Sequence, residues 1–228
     1  MKYAKTYYRE DKIMYINTIN RYTNLASLVA ILKNKELTLL DPLKWEDQND
    51  AHYLRKYGEK KRFNSLYALC FTTAAETSHH WKVFAPGADG VCIKINMNKF
   101  LSYLKSIKKN EPSIAHGKVE YKYLEDVENK KTPLRLNRLP FIKRAMFRDE
   151  LEYRVILGKK NKESKKSYGI EFDISIIDRI VLSNSLPYDL RKPMVSLLKS
   201  IDGCKNLSII RSTLNDNGRW KKACERAE

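Results

Sequence analysis

Apolar residues in the first part of the chain recur with two different periods. Residues 13–22 alternate loosely between apolar and polar side chains, which predicts a strand. Asn24 is a residue type that caps helices, and the apolar positions in residues 25–33 follow helical spacing. Residues 36–40 return to a short strand, so the pattern predicts a compact strand, helix, strand unit.

The later pattern predicts more strands than helices. The expected strands cover residues 66–73, 90–95, 117–123, 150–157, 164–172 and 176–182, and the expected helices cover residues 98–108 and 188–201. Residues 52–61 are so charged that neither period decides between a helix and a loop. Because strands and helices do not alternate strictly, the pattern predicts an α+β fold. We expect one domain over residues 1–228, with a polar C-terminal tail from about residue 212.

The charge balance indicates a polyanionic partner. The chain has 44 Lys and Arg against 27 Asp and Glu, a formal net charge of +17, which is typical of proteins that bind nucleic acids. A generally lysine-rich composition is the alternative explanation. The four cysteines form no CxxC pair and no apolar run is long enough to cross a bilayer, so we expect reduced thiols, a cytoplasmic protein and no membrane partner.

Two acidic residues lie close together on the predicted strand at residues 150–157. A period of two places Glu150, Glu152 and Arg154 on one face of that strand. Neighbouring carboxylates separate their titrations, so one can stay ionised beside a developing positive charge while the other orients a nucleophile. A solvated strand face with a Glu–Arg pair is the alternative.

Three short motifs follow one another in a recognisable order. Arg21, Tyr22 and Thr23 close an early strand, Thr72 and Thr73 close a middle strand, and Glu150 and Glu152 lie on a late one. This order resembles the ADP-ribosyltransferases of the arginine, serine, glutamate class. The hydroxyl motif here is a Thr pair instead of a Ser, Thr, Ser run.

A second resemblance spans residues 15–157. An Asn-Asp loop at Asn49 and Asp50, a Cys-Phe-Thr strand from Cys70, a Trp at Trp81 and the Glu, Tyr, Arg sequence from Glu152 resemble a large bacterial family of uncharacterised domains that includes toxin and defence components. Phe84 stands where that family usually has a Tyr.

Together these resemblances imply an ADP-ribosyltransferase-like fold, with a mixed, mainly antiparallel split sheet and flanking helices, and NAD as the substrate. Glu152 would act on the ribose and Glu150 would orient the acceptor. Arg21 would bind the pyrophosphate, and the other cofactor contacts would be Tyr22, Thr23, Thr72, Thr73 and Trp81. The implied role is that of a bacterial toxin or phage-defence effector that modifies RNA, DNA or an associated target and is held in check by an antitoxin protein.

Two other functions fit parts of the sequence. Asp89 followed by Glu120 and Lys122 has the loose spacing of a Mg²⁺-dependent nuclease. A non-catalytic nucleic-acid-binding module would need only basic side chains, and the candidates for phosphate contacts are Arg135, Arg138, Lys143, Arg144 and Arg148. We expect no bound metal under the leading hypothesis, because the adjacent His79 and His80 cannot both face one ion from a regular strand or helix.

Overall fold

A computed structural model of the chain describes residues 17–129, 134–161 and 166–225. The start of the first predicted strand and part of the lysine-rich turn after residue 159 lie outside these ranges. In the described ranges, every helix is too short or too polar to traverse a bilayer. The four cysteines are all free thiols.

The N-terminal unit has the predicted order of elements. Strand β1 (Thr18–Asn24) leads directly into helix α1 (Leu25–Asn34), because the Asn24 side chain accepts a hydrogen bond from the Ser27 N–H at 2.8 Å. Helix α1 ends where Lys35 adopts a left-handed conformation, and strand β2 (Glu36–Leu40) follows. The predicted strand, helix, strand unit is confirmed.

The middle of the chain contains a helix that the sequence pattern left undecided. The elements there are α2 (Gln48–Lys61), β3 (Ser65–Thr72), α3 (Ser78–Phe84), β4 (Gly90–Asn96) and α4 (Met97–Ile107). The Asp47 side chain caps α2 by accepting from the N–H groups of Asn49 and Asp50. Helix α2 is mostly charged, and it buries only a narrow stripe that includes Leu54 and Tyr57.

The second half of the chain is built from shorter elements. These are β5 (Ala115–Lys118), β6 (Glu120–Lys122), α5 (Leu124–Glu128), β7 (Ile142–Arg144), β8 (Glu152–Lys159), β9 (Ser167–Glu171), β10 (Ile177–Leu182), α6 (Tyr188–Ser200), β11 (Ile209–Arg211) and α7 (Gly218–Cys224). Three 3₁₀ helices, Leu136–Phe141, Ala145–Glu150 and Ile174–Ile176, connect some of them.

Two expectations for this half need correction. The strand expected over residues 117–123 is two strands, because β5 pairs with β8 whereas β6 pairs with β7 in a separate sheet. The strand expected from Glu150 begins at Glu152, because Glu150 ends a 3₁₀ helix. The residues expected to form a polar C-terminal tail contain α7, on which Trp220 is 81% exposed.

The main sheet has nine strands and forks at β3. On one edge of β3, β1 leads outward to β4, β10 and β11, and β2 leads outward to β9. On the other edge, β3 pairs with β8, which pairs with β5. Strand β1 pairs with β3 only at Asn20 and Thr72, and β2 pairs with β3 only at Leu40 and Ala68. Since β8 occupies the other edge of β3 along its whole length, β1 and β2 diverge from the same edge.

All neighbours in the main sheet are antiparallel except the parallel pair β10 and β11. Helices flank the sheet. The expected α+β fold, with a mixed, mainly antiparallel split sheet and flanking helices, is confirmed.

Strands β3 and β8 bury both of their faces. One face of β3, with Leu69 and Phe71, belongs to the largest hydrophobic cluster, which packs against α1 and α4. The other face contributes Leu66 and Ala68 to a smaller cluster under α2. Further along this second face, where the strand register places Thr72 opposite Glu152, the apolar residues give way to polar ones.

Candidate active site

A cavity of about 560 Å³ opens at the fork in the sheet. This volume lies within the range of small-molecule and cofactor sites, about 300–1,000 Å³. Its walls come from β1, the start of α2, the end of β3, α3 and the segment before β8. The lining residues include Asn20, Arg21, Tyr22, Trp45, Asp47, Asp50, Cys70, Thr72, His80, Phe84, Lys143, Phe147, Glu150 and Glu152.

The innermost part of this site is a buried ion network centred on Arg154. The Arg154 side chain is fully buried and donates to both oxygens of Asp50, at 2.8 and 2.7 Å, and to both oxygens of Glu152, at 2.7 and 2.9 Å. It also donates to the Pro140 carbonyl at 2.8 Å and lies 5.1 Å from the centre of the Trp45 ring. Glu152 is therefore held in one orientation by a two-bond contact.

The electrostatics of the network keep Glu152 ionised. Burial would raise the pKa of Glu152, but the Arg154 guanidinium outweighs this effect, and the pKa lies below its ordinary value. Burial would lower the pKa of Arg154, yet the two carboxylates raise it well above normal. Burial dominates at Asp50, whose pKa is raised. The Glu152 carboxylate is thus ionised and faces the cavity, although the residue is only 5% exposed.

Lys143 and Glu150 form a second charged pair beside this network. The Lys143 ammonium lies 2.7 Å from Glu150 Oε2, 3.8 Å from Glu152 Oε2 and 3.9 Å from Asp50 Oδ2, and it lies 4.6 Å from the centre of the Phe147 ring. Burial raises the pKa of Glu150 in spite of Lys143. The two glutamates therefore differ. Glu152 is kept ionised, whereas the raised pKa of Glu150 means that it binds a proton more readily.

Glu150 reaches the cavity from a turn instead of a strand. Leu151 adopts a left-handed conformation with φ of 42°, which separates the 3₁₀ helix from β8. The Thr72 hydroxyl donates to the Glu150 carbonyl at 2.6 Å, and the Thr73 hydroxyl donates to the Leu151 carbonyl at 2.9 Å. The hydroxyl pair on β3 therefore fixes the turn that presents Glu150.

The Arg21 side chain reaches the site at the fork, between β1 and β3. Because β1 pairs with β3 only once, the Cys70 carbonyl is available to the Arg21 side chain, whose Nη1 donates to it at 3.1 Å. The Arg21 Nε–H is buried and has no hydrogen-bond partner within the described parts of the chain. Burial lowers the pKa of Arg21 because it disfavours the charged guanidinium. An anionic ligand in the cavity would stabilise that charge.

Other polar atoms in the cavity wall are also unsatisfied. Asn20 Oδ1 and Asp47 Oδ2 are buried and lack a partner among the described residues. Aromatic rings of Trp45, Phe84 and Phe147 supply flat apolar surface next to them. Buried polar groups without partners are rare in native proteins, so this wall fits a ligand that combines anionic, hydroxyl and planar ring groups, as NAD does.

Several predicted site residues meet in this cavity and others do not. Arg21, Tyr22, Thr72, Glu150 and Glu152 all line it. Thr23, Thr73 and Trp81 are outside the lining set.

Trp81 is held behind the cavity wall. Its indole N–H donates to Glu76 at 2.9 Å, and its ring packs edge-on against Tyr22 at 5.2 Å. The Tyr22 ring in turn stacks on His80 at 5.5 Å. Trp81 therefore packs against one lining residue, Tyr22, without lining the cavity itself.

The predicted basic surface divides into two environments. Lys143 is only 10% exposed, and it lies inside the cavity among carboxylates. Arg135, Arg138, Arg144 and Arg148 are exposed. Arg138 pairs with Glu120, and Arg148 donates to the Tyr123 hydroxyl at 3.2 Å.

The residues of the nuclease hypothesis lie apart in the fold. Glu120 is on β6 in the small second sheet, where it pairs with Arg138 and Lys122. Asp89 precedes β4 of the main sheet, and its carbonyl accepts from the Leu25 N–H. Across the described ranges, no group of three or more His, Cys, Asp or Glu side chains could hold a metal ion.

Sequence reasoning considered a Glu–Arg pair only on a solvated strand face, and it did not predict that Asp50 and Lys143 join Glu150, Glu152 and Arg154 in a buried network. Asp50 was noted in the Asn-Asp loop, and Arg154 was expected on a strand face. Their meeting depends on a contact between residues 104 positions apart, for which a local pattern carries no signal. The combination of an Asn-Asp loop and a Glu, Tyr, Arg strand was the one available indication.

Comparisons with known proteins give only distant structural likeness. No family model and no curated protein matches the chain. The chain is similar to solved structures described as Thermus sp. 2.9 DarT in complex with ADP-ribosylated ssDNA (9% identity, covering 86% of this chain and 94% of that one, TM-score 0.42) and in complex with NAD+ (8% identity, covering 87% and 96%, TM-score 0.42). At this level of similarity, the roles of the cavity residues rest on their own contacts.

Proposed function

We propose that the chain is an NAD-dependent ADP-ribosyltransferase that modifies a nucleic acid or a nucleic-acid-associated target. The observation that carries this proposal is the convergence of Arg21, Glu150 and Glu152 on one cavity at the fork of the sheet. A guanidinium can bind the pyrophosphate, one carboxylate can stabilise the positive charge on the ribose, and a second carboxylate with a higher proton affinity can accept the proton of the acceptor.

In this proposal each residue has a separate chemical task. Arg21 binds the pyrophosphate through charge-assisted hydrogen bonds, including one from the Nε–H that has no partner among the described residues. The bond between ribose C1′ and nicotinamide breaks, and nicotinamide leaves with the electron pair. Glu152, kept ionised by Arg154, stabilises the positive charge on the ribose. A nucleophilic atom of the acceptor then bonds to C1′, and its proton passes to Glu150.

We also propose a biological setting, which is that of a bacterial toxin or phage-defence effector acting in the cytoplasm with an antitoxin protein as its partner. The support is the combination of the site with the formal net charge of +17, because a strongly basic protein is attracted to polyanionic targets.

The direct test uses NAD labelled in its adenylate part, with single-stranded DNA, RNA and cell extract as separate acceptors. Wild type should transfer label to one acceptor and release nicotinamide, and Glu152→Gln should do neither. Because Gln removes a charge partner of Arg154, the variant must be shown to be folded by its circular dichroism. Glu171→Gln, an exposed carboxylate away from the cavity, is the matched control.

If wild type releases no nicotinamide and labels nothing, the transferase proposal is wrong. Cleavage of the same nucleic acids in the presence of Mg²⁺, lost in Glu120→Gln and kept in Glu152→Gln, would then support the nuclease alternative.

A further inference from the structure

A second cavity of about 230 Å³ lies beside the first one. The two cavities share Asp50 and Lys143 as lining residues, so the two cavities adjoin at these side chains. The other walls come from the start of α2, the junction between β6 and α5, and β7. The second cavity has less than half the volume of the first, which suits a single ring system better than a dinucleotide.

The lining of the second cavity combines aromatic rings with cations. Tyr53 and Tyr123 contribute rings, and Ile142 adds aliphatic surface. Lys122 and Arg144 contribute positive charge. Proteins bind single-stranded nucleic acids with this combination, in which bases stack on aromatic side chains and basic groups follow the phosphates.

The most exposed of these rings is oriented by an arginine. The Tyr123 side chain is 47% exposed although it is a large aromatic. Its hydroxyl accepts a hydrogen bond from Arg148 at 3.2 Å. Arg144, which lines the same cavity, and Arg148 are both exposed, so two cations are accessible to a ligand of the second cavity.

We propose that the second cavity receives one base of a single-stranded nucleic acid and holds it as the acceptor, with Tyr123 as the stacking residue. This inference rests on the proposed function, because it names the acceptor site of that reaction. The exposed Arg144 and Arg148 bind the phosphates on either side of the base.

The two shared residues mark the junction of the cavities. The Lys143 ammonium contacts Glu150 at 2.7 Å from a position that both cavities reach. In the proposed complex, a base in the second cavity presents a ring nitrogen or exocyclic group at this junction, next to the ribose of NAD in the first cavity. When that atom bonds to ribose C1′, nicotinamide leaves with the electron pair of the broken bond, and the proton of the acceptor passes to Glu150.

The test separates acceptor binding from the chemistry on NAD. A fluorescein-labelled single-stranded DNA oligonucleotide and an RNA of the same sequence are titrated with wild type and with Tyr123→Ala, and polarisation is measured. Removing a stacking ring should weaken binding of the accepted nucleic acid by on the order of tenfold. The ratio of labelled oligonucleotide to NAD hydrolysed should fall by a similar factor.

Two control variants make the result specific. Tyr123→Phe keeps the ring but loses the Arg148 contact, so it should restore most of the binding. Tyr188→Ala removes an equally large ring that is 72% exposed on α6, and it should change neither quantity. Equal binding by Tyr123→Ala and Tyr188→Ala would overturn the inference. Absence of nicotinamide release from wild type would instead overturn the proposed function, while the binding data would still decide whether the cavity takes a base.

Discussion

Asp50 and Arg154 make a two-bond ion pair between side chains 104 positions apart in the chain, with N···O distances of 2.8 and 2.7 Å. This pair ties the first turn of α2 to β8. Because the same guanidinium also binds Glu152, the orientation of the proposed catalytic carboxylate depends on a helix from a distant part of the sequence.

We expect Arg154→Ala to lower the free energy of unfolding by about 3–5 kcal/mol, because it leaves two buried carboxylates without their partner. Chemical denaturation followed by tryptophan fluorescence measures the change. Arg179→Ala is the matched control, because Arg179 pairs with Asp178 on the exposed surface and such pairs contribute about 0–1 kcal/mol. Similar losses in the two variants would contradict a stabilising role for the buried network.

The pH dependence of the proposed transfer should report the pair of Glu150 and Lys143. Burial raises the pKa of Glu150, and the Lys143 charge limits that rise. Lys143→Met should therefore raise the pKa of Glu150 further. If Glu150 accepts the proton of the acceptor, the acidic limb of the pH–rate profile for label transfer should move to higher pH.

Lys143→Arg keeps the positive charge, so its profile should stay near that of wild type. An unchanged acidic limb in Lys143→Met would exclude Glu150 as the titrating base. A loss of transfer at every pH without a shift of the limb would instead indicate that Lys143 mainly positions Glu150.

His80 should make the fold less stable in mild acid. Its side chain is 1% exposed, and burial lowers its pKa below the ordinary value of 6.5. The unfolded chain then binds a proton at a higher pH than the folded one. The free energy of unfolding should fall as the pH decreases below about 6.5, until His80 is protonated in the folded state as well.

In His80→Gln this part of the pH dependence should disappear. Urea denaturation at several pH values between neutrality and mild acid measures it for both proteins. An identical slope in wild type and His80→Gln would show that other groups produce the dependence.

Local signals in the sequence were sufficient for the elements that depend on local contacts. The α1 helix follows from its helical spacing and from the Asn24 cap, both of which lie within one stretch of chain. Helix α2 was left undecided because its exposed face is charged, and its buried stripe is defined by contacts with residues far along the chain. Periodicity does not contain that information.

The predicted register at Glu150 failed for a similar reason. Alternation places Glu150, Glu152 and Arg154 on one strand face, but the hydroxyls of Thr72 and Thr73 hold the carbonyls of Glu150 and Leu151 in a turn. That turn is a tertiary feature, and the alternation of apolar and polar residues along one segment does not encode it.

The fork in the main sheet determines where a ligand can enter. Strands β1 and β3 both line the cavity, and they are joined by a single pairing at Asn20 and Thr72. Each strand keeps a full ladder on its other edge, with β4 and β8 respectively. The cavity therefore occupies an opening within the sheet itself, and this opening costs neither strand its pairing on the other side.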